Sequence, residues 1–402
     1  DSIVRVTSMC ALAAVTLGLA IVLSHSPWYA LLIPMTLTAM VLTIVYNPPF
    51  ALVMSFSLAL MASLALGAGL DHFMVQMGAL APVVLLLRRV RSRTGLVKVA
   101  FGAGAACVLM TVAIGTLGGQ TSKFIAADAG RHLLWCMLAG FVLCGGLPAV
   151  ERAFGVVTDV SLVELANSAH PLLQELVRRA PGTHTHSMTV AALAETAAEA
   201  IGANVLLARV GSYFHDVGKM LKPHYFIENQ TGPNAHDDLE PALSTLVIIG
   251  HVKDGMALAE QYRLPRPVAD LIQQHHGTTL VEYFYREVLR LYDGASPPGL
   301  EASFRYPGPK PQSREAGILM LADAIESSSR ALSGPTPASL TKLVHDLLMK
   351  RLLDGQFEES GLTLTELRRV EESLVKSLIA LFHARIKYPE ADEERPPLPI
   401  AG

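Results

Sequence analysis

The chain has 402 residues, of which 51% are hydrophobic and only 17% charged, against about 25% charged in an ordinary soluble protein. Its net charge of −3 by itself selects neither for nor against a nucleic-acid partner. All four cysteines (Cys10, Cys107, Cys136, Cys144) stand in apolar runs, which excludes a disulfide scaffold and leaves none in the C-terminal half to ligate zinc.

The charges divide the chain in two. Residues 1–150 hold three acids and eight bases, a net +5, whereas 151–402 hold 32 acids and 24 bases, a net −8. A wholly soluble single domain is therefore excluded. No charged residue stands between Arg5 and Asp71, a run too long for one span of about 20 residues. His25-Ser26-Pro27 and Asn47-Pro48-Pro49 punctuate it, predicting spans over 6–24, 28–46 and 50–70. A shorter span over 72–87, a fifth over 96–117, a polar loop over 118–131 and a sixth span over 132–150 follow. Arg88, Arg89, Arg91 and Arg93 form a basic loop that belongs in the cytoplasm. With an even number of spans, the N-terminus and the C-terminal half then lie in the cytoplasm too. Residues 1–154 thus read as a multi-pass domain of the cytoplasmic membrane, with a connector over 155–181. No acid near the middle of a span marks an ion pathway. The first residue is not Met, so the chain reads as a fragment or a processed form.

Pro181-Gly182 breaks the connector. Helices are predicted over 187–201, 206–214, 240–262, 267–276, 280–291, 315–332, 338–353 and 363–386, with a Pro/Gly loop over 293–312. No alternating strand pattern and no Gly-rich phosphate loop occurs. The expected fold class is all-α: a polytopic helical membrane domain, then a cytoplasmic all-helical domain over 182–390 and a tail over 391–402.

Eleven of the 14 histidines fall in that second half, several beside acids or at helix ends. His186, His215-Asp216, His251, His275-His276 and Asp323 offer nitrogen and oxygen ligands suited to iron, manganese or zinc. Singly they say little. His186 alone is a polar residue near a helix start, and His251 in an apolar run is a hydrogen-bonded core histidine. Neighbouring residues such as His275 and His276 share no helix face, so both reach one site only at a helix end, which Gly277 supplies. His215-Asp216 differs: adjacent His and Asp can both bind metal where a helix finishes, and the carboxylate can bridge two ions. Gly218 permits a close turn, and Lys219 offers a point charge to a phosphate. The ordered set on successive helices carries the signal.

That set resembles the HD metal-dependent phosphohydrolase superfamily over 182–330. More narrowly, the chain resembles the seven-transmembrane-receptor HD family of cyclic di-AMP phosphodiesterases. The six spans, His170-Pro171-Leu172-Leu173, Pro181-Gly182-Thr183, His215-Asp216-Val217-Gly218-Lys219 and Tyr225-Phe226-Ile227-Glu228-Asn229-Gln230 carry the likeness. So do Asn234 with His236-Asp237, Gln274-His275-His276-Gly277-Thr278, the stretch Phe304 to Gln312, and Asp323 with Glu326. The resemblance implies two metal ions, iron or manganese. One would be held by His186, His215, Asp216 and Asp323, the other by Asp216, His251, His275 and His276, with Asp216 bridging. It also implies an extracellular sensor domain and a further span upstream of Asp1. The chain departs from the family pattern at His184, Thr185, Lys222 and Ala235, none of which removes a ligand.

Two close metals would supply hydroxide at neutral pH and clamp the attacked phosphate, which makes Asp216 catalytic as well as a ligand. Lys219 would stabilise developing charge, and Lys219 and Lys222 would bind the substrate phosphates. The expected reaction is hydrolysis of cyclic di-AMP to pApA in second-messenger signalling. A cyclic di-GMP phosphodiesterase would carry Gly-Tyr-Pro, which occurs nowhere here. A nucleotide-binding receptor with a non-catalytic HD domain stays open, although such a site usually loses a ligand. The expected partners are a cyclic dinucleotide and the lipid bilayer, not a nucleic acid. Receptors of this layout can also act as homodimers.

Overall fold

The computed structural model describes residues 2–26, 29–87, 90, 92–291 and 299–383. Three of the four arginines that set the expected orientation (Arg88, Arg89 and Arg91), part of the 293–312 loop and the 391–402 tail lie outside them. The described residues are helical, with one isolated bridge between Leu280 and Arg305 and no strand. The all-α expectation holds. The chain divides into two compact units, Asp1–Asn167 with Pro265–Pro267, and Ser168–Leu264 with Val268–Gly402.

The first unit contains six apolar helices: α1 (Ser2–Ser24), α2 (Leu32–Val45), α3 (Pro48–Ala65), α4 (Leu70–Leu86), α5 (Arg93–Leu117) and α6 (Ser122–Phe154). Asn47 caps α3 by accepting from the Phe50 N–H at 2.9 Å, and Ser92 caps α5 through the Gly95 N–H at 3.1 Å. Four of the six are at least 18 residues long; α2 and α4, at 14 and 17, fall short of a full crossing by length. Small residues bring α5 and α6 together, since a Cβ on Gly140 would run into Ala100. Met35, Met40, Leu58, Ala62, Leu80, Val83, Leu143 and Leu147 fill the interior, while Val22, Val53, Leu64, Leu109 and Phe141 face outward.

The predicted polar loop is mostly absent. Only Gly118–Thr121 turns, and α6 starts at Ser122. Polar side chains are not helix breakers, and Lys123, Asp128 and Arg131 extend the helix beyond its apolar part. At the other end of α6, buried Glu151 accepts from the Thr158 N–H at 2.8 Å and the Ser161 hydroxyl at 2.9 Å. This ties α6 to α7 (Asp159–Leu165).

The second unit begins with α8 (Pro171–Arg179) and α9 (Pro181–Ala200). Pro181-Gly182 starts α9 rather than only breaking the connector: proline suits the first helical position, where its missing N–H has no partner to lose. Next come α10 (Val205–Phe214), a tight turn over Val217–Leu221, α11 (Pro241–Gln261), α12 (Arg266–Gln274) and α13 (Glu282–Leu291). Helices α14 (Leu300–Ser303), α15 (Arg314–Arg330), α16 (Pro337–Leu353) and α17 (Leu364–His383) complete it. Helix α11 is itself long and apolar enough to cross a membrane, yet it belongs to this unit. Helix α15 is the central element, with Ile318, Leu319, Leu321, Ala322 and Ile325 packed against Leu193 and Ala194 of α9 and Val344 of α16.

Candidate metal centre

Every sequence-predicted ligand comes from a helix or a helix end beside α15. His186 lies in α9, inside the helix that Pro181 starts. His215 is the C-cap of α10, and Asp216 precedes the tight turn. His251 is in α11, Asp323 in α15, and His275 and His276 follow the end of α12. The turn at Gly277, with φ +53°, lets both imidazoles enter one site. Gly218 sits where the turn meets α11, and a Cβ there would collide with the His251 carbonyl.

Two ligand groups share Asp216. Its Oδ2 is 3.3 Å from His186 Nε2 and 3.2 Å from His215 Nε2, while Asp323 Oδ1 is 3.0 Å from His186 Nε2. Its Oδ1 is 3.3 Å from His251 Nε2 and 3.6 Å from His275 Nε2. In each group, His186/His215/Asp216/Asp323 and Asp216/His251/His275/His276, the candidate ligand atoms lie within 4.8 Å of one another.

Hydrogen bonds set the imidazole tautomers. His215 Nδ1 stands 2.8 Å from the Ser212 carbonyl, His251 Nδ1 2.6 Å from Ile248 O, and His275 Nδ1 2.8 Å from Ile272 O. A carbonyl only accepts, so each Nδ1 carries the proton and each Nε2 keeps its lone pair for the shared centre. His186 Nδ1 is held by Glu326 Oε2 at 2.6 Å, and that oxygen also accepts from Arg330 at 2.8 Å.

The donor set fits metal ions. His186 Nε2, His215 Nε2 and Asp216 Oδ1 are fully buried polar atoms with no hydrogen-bond partner, a costly arrangement without a ligand. Asp216 Oδ2 also lacks a well-aligned hydrogen bond, although the Lys219 ammonium stands 2.6 Å away. Electrostatics agrees. Burial pushes His251 down to about 3, against the pull of Asp216, so its imidazole is neutral. Burial opposes charge on His215 too, but Asp216 and Asp323 outweigh it and push it up to about 9. A cation bound among these carboxylates would take the place of that proton.

Lys219 lies between Asp216 and Glu228, 3.1 Å from Glu228 Oε1. Burial opposes its charge, but those carboxylates and Asp323 hold the ammonium above the usual lysine range. Lys222 is not brought to the site. Its side chain is 51% exposed, its ammonium is 3.9 Å from Asp254, and it does not line the adjoining cavity. The tight turn ends at Leu221, and Lys222 leaves it with its side chain turned out toward Asp254. His184 belongs to neither ligand group.

A cavity of about 450 Å³ opens on Lys219, His251, His276 and Asp323. Its other walls include Tyr225, Phe226, His236, Phe284 and Tyr306, and the Tyr306 ring stacks on His276 at 4.2 Å between centroids. Tyr225, Phe226, His236 and Tyr306 belong to the stretches that carry the family likeness, but the sequence assigns them no role; Phe284, in α13, stands outside those stretches. Glu326 and Arg330 were likewise unassigned.

The family model for 7TM receptors with an intracellular HD hydrolase matches residues 3–158, and the HD domain model matches 183–328. Two curated relatives are the cyclic-di-AMP phosphodiesterases PgpH of Bacillus subtilis, 37% identical, and Listeria monocytogenes, 36% identical. Each alignment covers 90% of this chain but 52% and 50% of the relative, so the chain spans about half their length. The crystal structure of the L. monocytogenes PgpH HD domain in complex with cyclic-di-AMP is 43% identical, with a TM-score of 0.51. It is covered completely by 54% of this chain. The chain therefore belongs to the family of 7TM receptors with an intracellular HD hydrolase.

Proposed function

We propose that this chain is a membrane-anchored, two-metal phosphodiesterase that hydrolyses cyclic di-AMP to the linear pApA. The observation that carries the reading is Asp216, buried behind an aromatic-lined cavity, whose two oxygens face two different pairs of imidazoles, with His251, His276 and Asp323 of the same groups lining that cavity. His186, His215, Asp216 and Asp323 would hold one ion, and Asp216, His251, His275 and His276 the other, iron or manganese in each case. Such a pair would supply a nucleophile at neutral pH and offset charge on the attacked phosphate.

The chain's own residues do the rest. The Nδ1 contacts of His215, His251 and His275 keep each Nε2 aimed inward. Lys219 has three donors; one goes to Glu228 Oε1 at 3.1 Å while the ammonium is ion-paired with Asp216, and its remaining donors would offset charge developing on the phosphate. The aromatic walls suit adenine faces, since each stacked base is worth about 1–3 kcal/mol. Water adds to one phosphorus, the P–O3′ bond breaks, and the 3′ oxygen leaves with a proton, giving a 5′-phosphate. The metal-binding unit would lie on the cytoplasmic face, and the chain would form a homodimer. A sensor domain upstream of Asp1 would complete the receptor.

The test is hydrolysis by the full chain in detergent, kept reducing and low in oxygen, with cyclic di-AMP and cyclic di-GMP offered separately. Expected is pApA from cyclic di-AMP, abolished in Asp216→Ala. Preference for cyclic di-GMP would overturn the substrate assignment. Bound metal with turnover of neither would make this a binding receptor.

A further inference from the structure

A second cavity, of about 450 Å³, lies within the membrane unit, where α2, α4 and α6 begin and α5 ends. Asp71, Gln76, Thr111, Asp128, Arg131 and His132 line it. Residues 1–150 carry only three acids, and two of them, Asp71 and Asp128, are here. Polar and ionisable groups among membrane helices are expensive, and their gathering at one cavity marks a functional site.

The hydrogen bonds show what the cavity lacks. Gln76 is 3% exposed. Its Nε2 donates to Ser63 Oγ at 3.2 Å, and its Oε1 is buried with no partner. The Thr111 hydroxyl donates to the Cys107 carbonyl at 2.8 Å, so it accepts from His132 Nδ1 at 2.9 Å. The proton is thus on Nδ1, and His132 Nε2 is a second open acceptor. Arg131 pairs with Asp128 and sits 5.6 Å over the Tyr29 ring, which cancels one carboxylate. Asp71, in the first turn of α4 and about half exposed at the cavity's rim, has His72 at 3.5 Å. Two acceptors and one uncompensated carboxylate call for a cation with several N–H donors. The cavity, of about 450 Å³ and lined from four helices, has the room of an organic cation rather than of a bare ion.

We infer that this cavity is a binding site for a small organic cation bearing N–H donors, such as a primary ammonium or amidinium compound. The inference stands independently of the phosphodiesterase reading. It gives the membrane unit a ligand of its own, placed on α6. That helix has 33 residues, about 50 Å in length at 1.5 Å each, and runs from the cavity to Glu151 and the start of α7.

The experiment is calorimetric titration of the full chain in detergent with 1,4-diaminobutane and ethylammonium. Tetramethylammonium, which has charge but no donors, and acetate are the controls. Saturable binding of the two amines and neither control is expected. Gln76→Leu or Asp71→Asn should weaken it at least tenfold. Amine binding that is absent, matched by tetramethylammonium, or unchanged in both variants overturns the inference. Acetate binding in its place would make this an anion site.

Discussion

At the scale of single residues, two carboxylates shape the metal-binding unit, one inside the ligand groups and one behind them. Asp216 joins both groups, and Glu326 holds the outer nitrogen of His186 while Arg330 holds Glu326. A carboxylate behind a ligand imidazole fixes its tautomer and raises its basicity, typically worth 10–100-fold in metal affinity. Glu326→Gln should therefore release metal about 10–100-fold more readily in competition with a chelator, with the fold retained by circular dichroism. Unchanged retention would show that Glu326 only packs. The ligands were legible in the sequence because histidine and aspartate are rare enough in helices to stand out at ordered intervals. Glu326 was not, because its partner lies 140 residues away and nothing local links them. Lys222 reads in the sequence as a companion to Lys219, but the two part in space: Lys219 points inward, and the turn has ended before the chain reaches Lys222.

At the scale of elements, helix contacts decide how closely the ligands approach. The tight turn over Val217–Leu221 presses against α11 at Gly218, whose added Cβ would strike the His251 and Gly255 backbone. Gly250, also in α11, meets nothing within 4 Å. The same substitution should then act in opposite directions. Gly218→Ala should destabilise by about 1–3 kcal/mol, as overpacking does, and displace His251. Gly250→Ala should stabilise by up to about 1 kcal/mol through helix propensity. Thermal melts of the two variants check this, and equal shifts would contradict the packing. Helix existence was legible from apolar spacing almost throughout. Boundaries were less so: composition suggested a loop over 118–131, but only the start, at Gly118-Gly119, turns; 122–131 holds no Pro and a single Gly, so helix costs little there and α6 absorbs it. Pro181 could be read as either a stop or a start, and only the packing of α9 against α15 decides.

At the scale of the whole molecule, an apolar helical unit and a soluble-type helical unit share one chain, as the asymmetry of charge already indicated. Each has its own cavity and its own unsatisfied buried atoms. In the second unit those atoms include His186 Nε2, His215 Nε2 and Asp216 Oδ1, and ions bound there would stabilise the fold by mass action, about 2.7 kcal/mol at a hundredfold excess over Kd. The central claim, two ions sharing Asp216 and serving hydrolysis, is tested most directly by counting metal. Wild-type, His251→Ala and Asp216→Ala chains would be purified in detergent under reducing, low-oxygen conditions, and bound metal quantified beside cyclic di-AMP turnover. The account predicts about two, about one and about zero ions per chain respectively, as a shared bridging ligand requires, with pApA formed at the full rate by the wild type alone. Metal retained at the wild-type level in Asp216→Ala, or full turnover by a metal-free wild type, would contradict it.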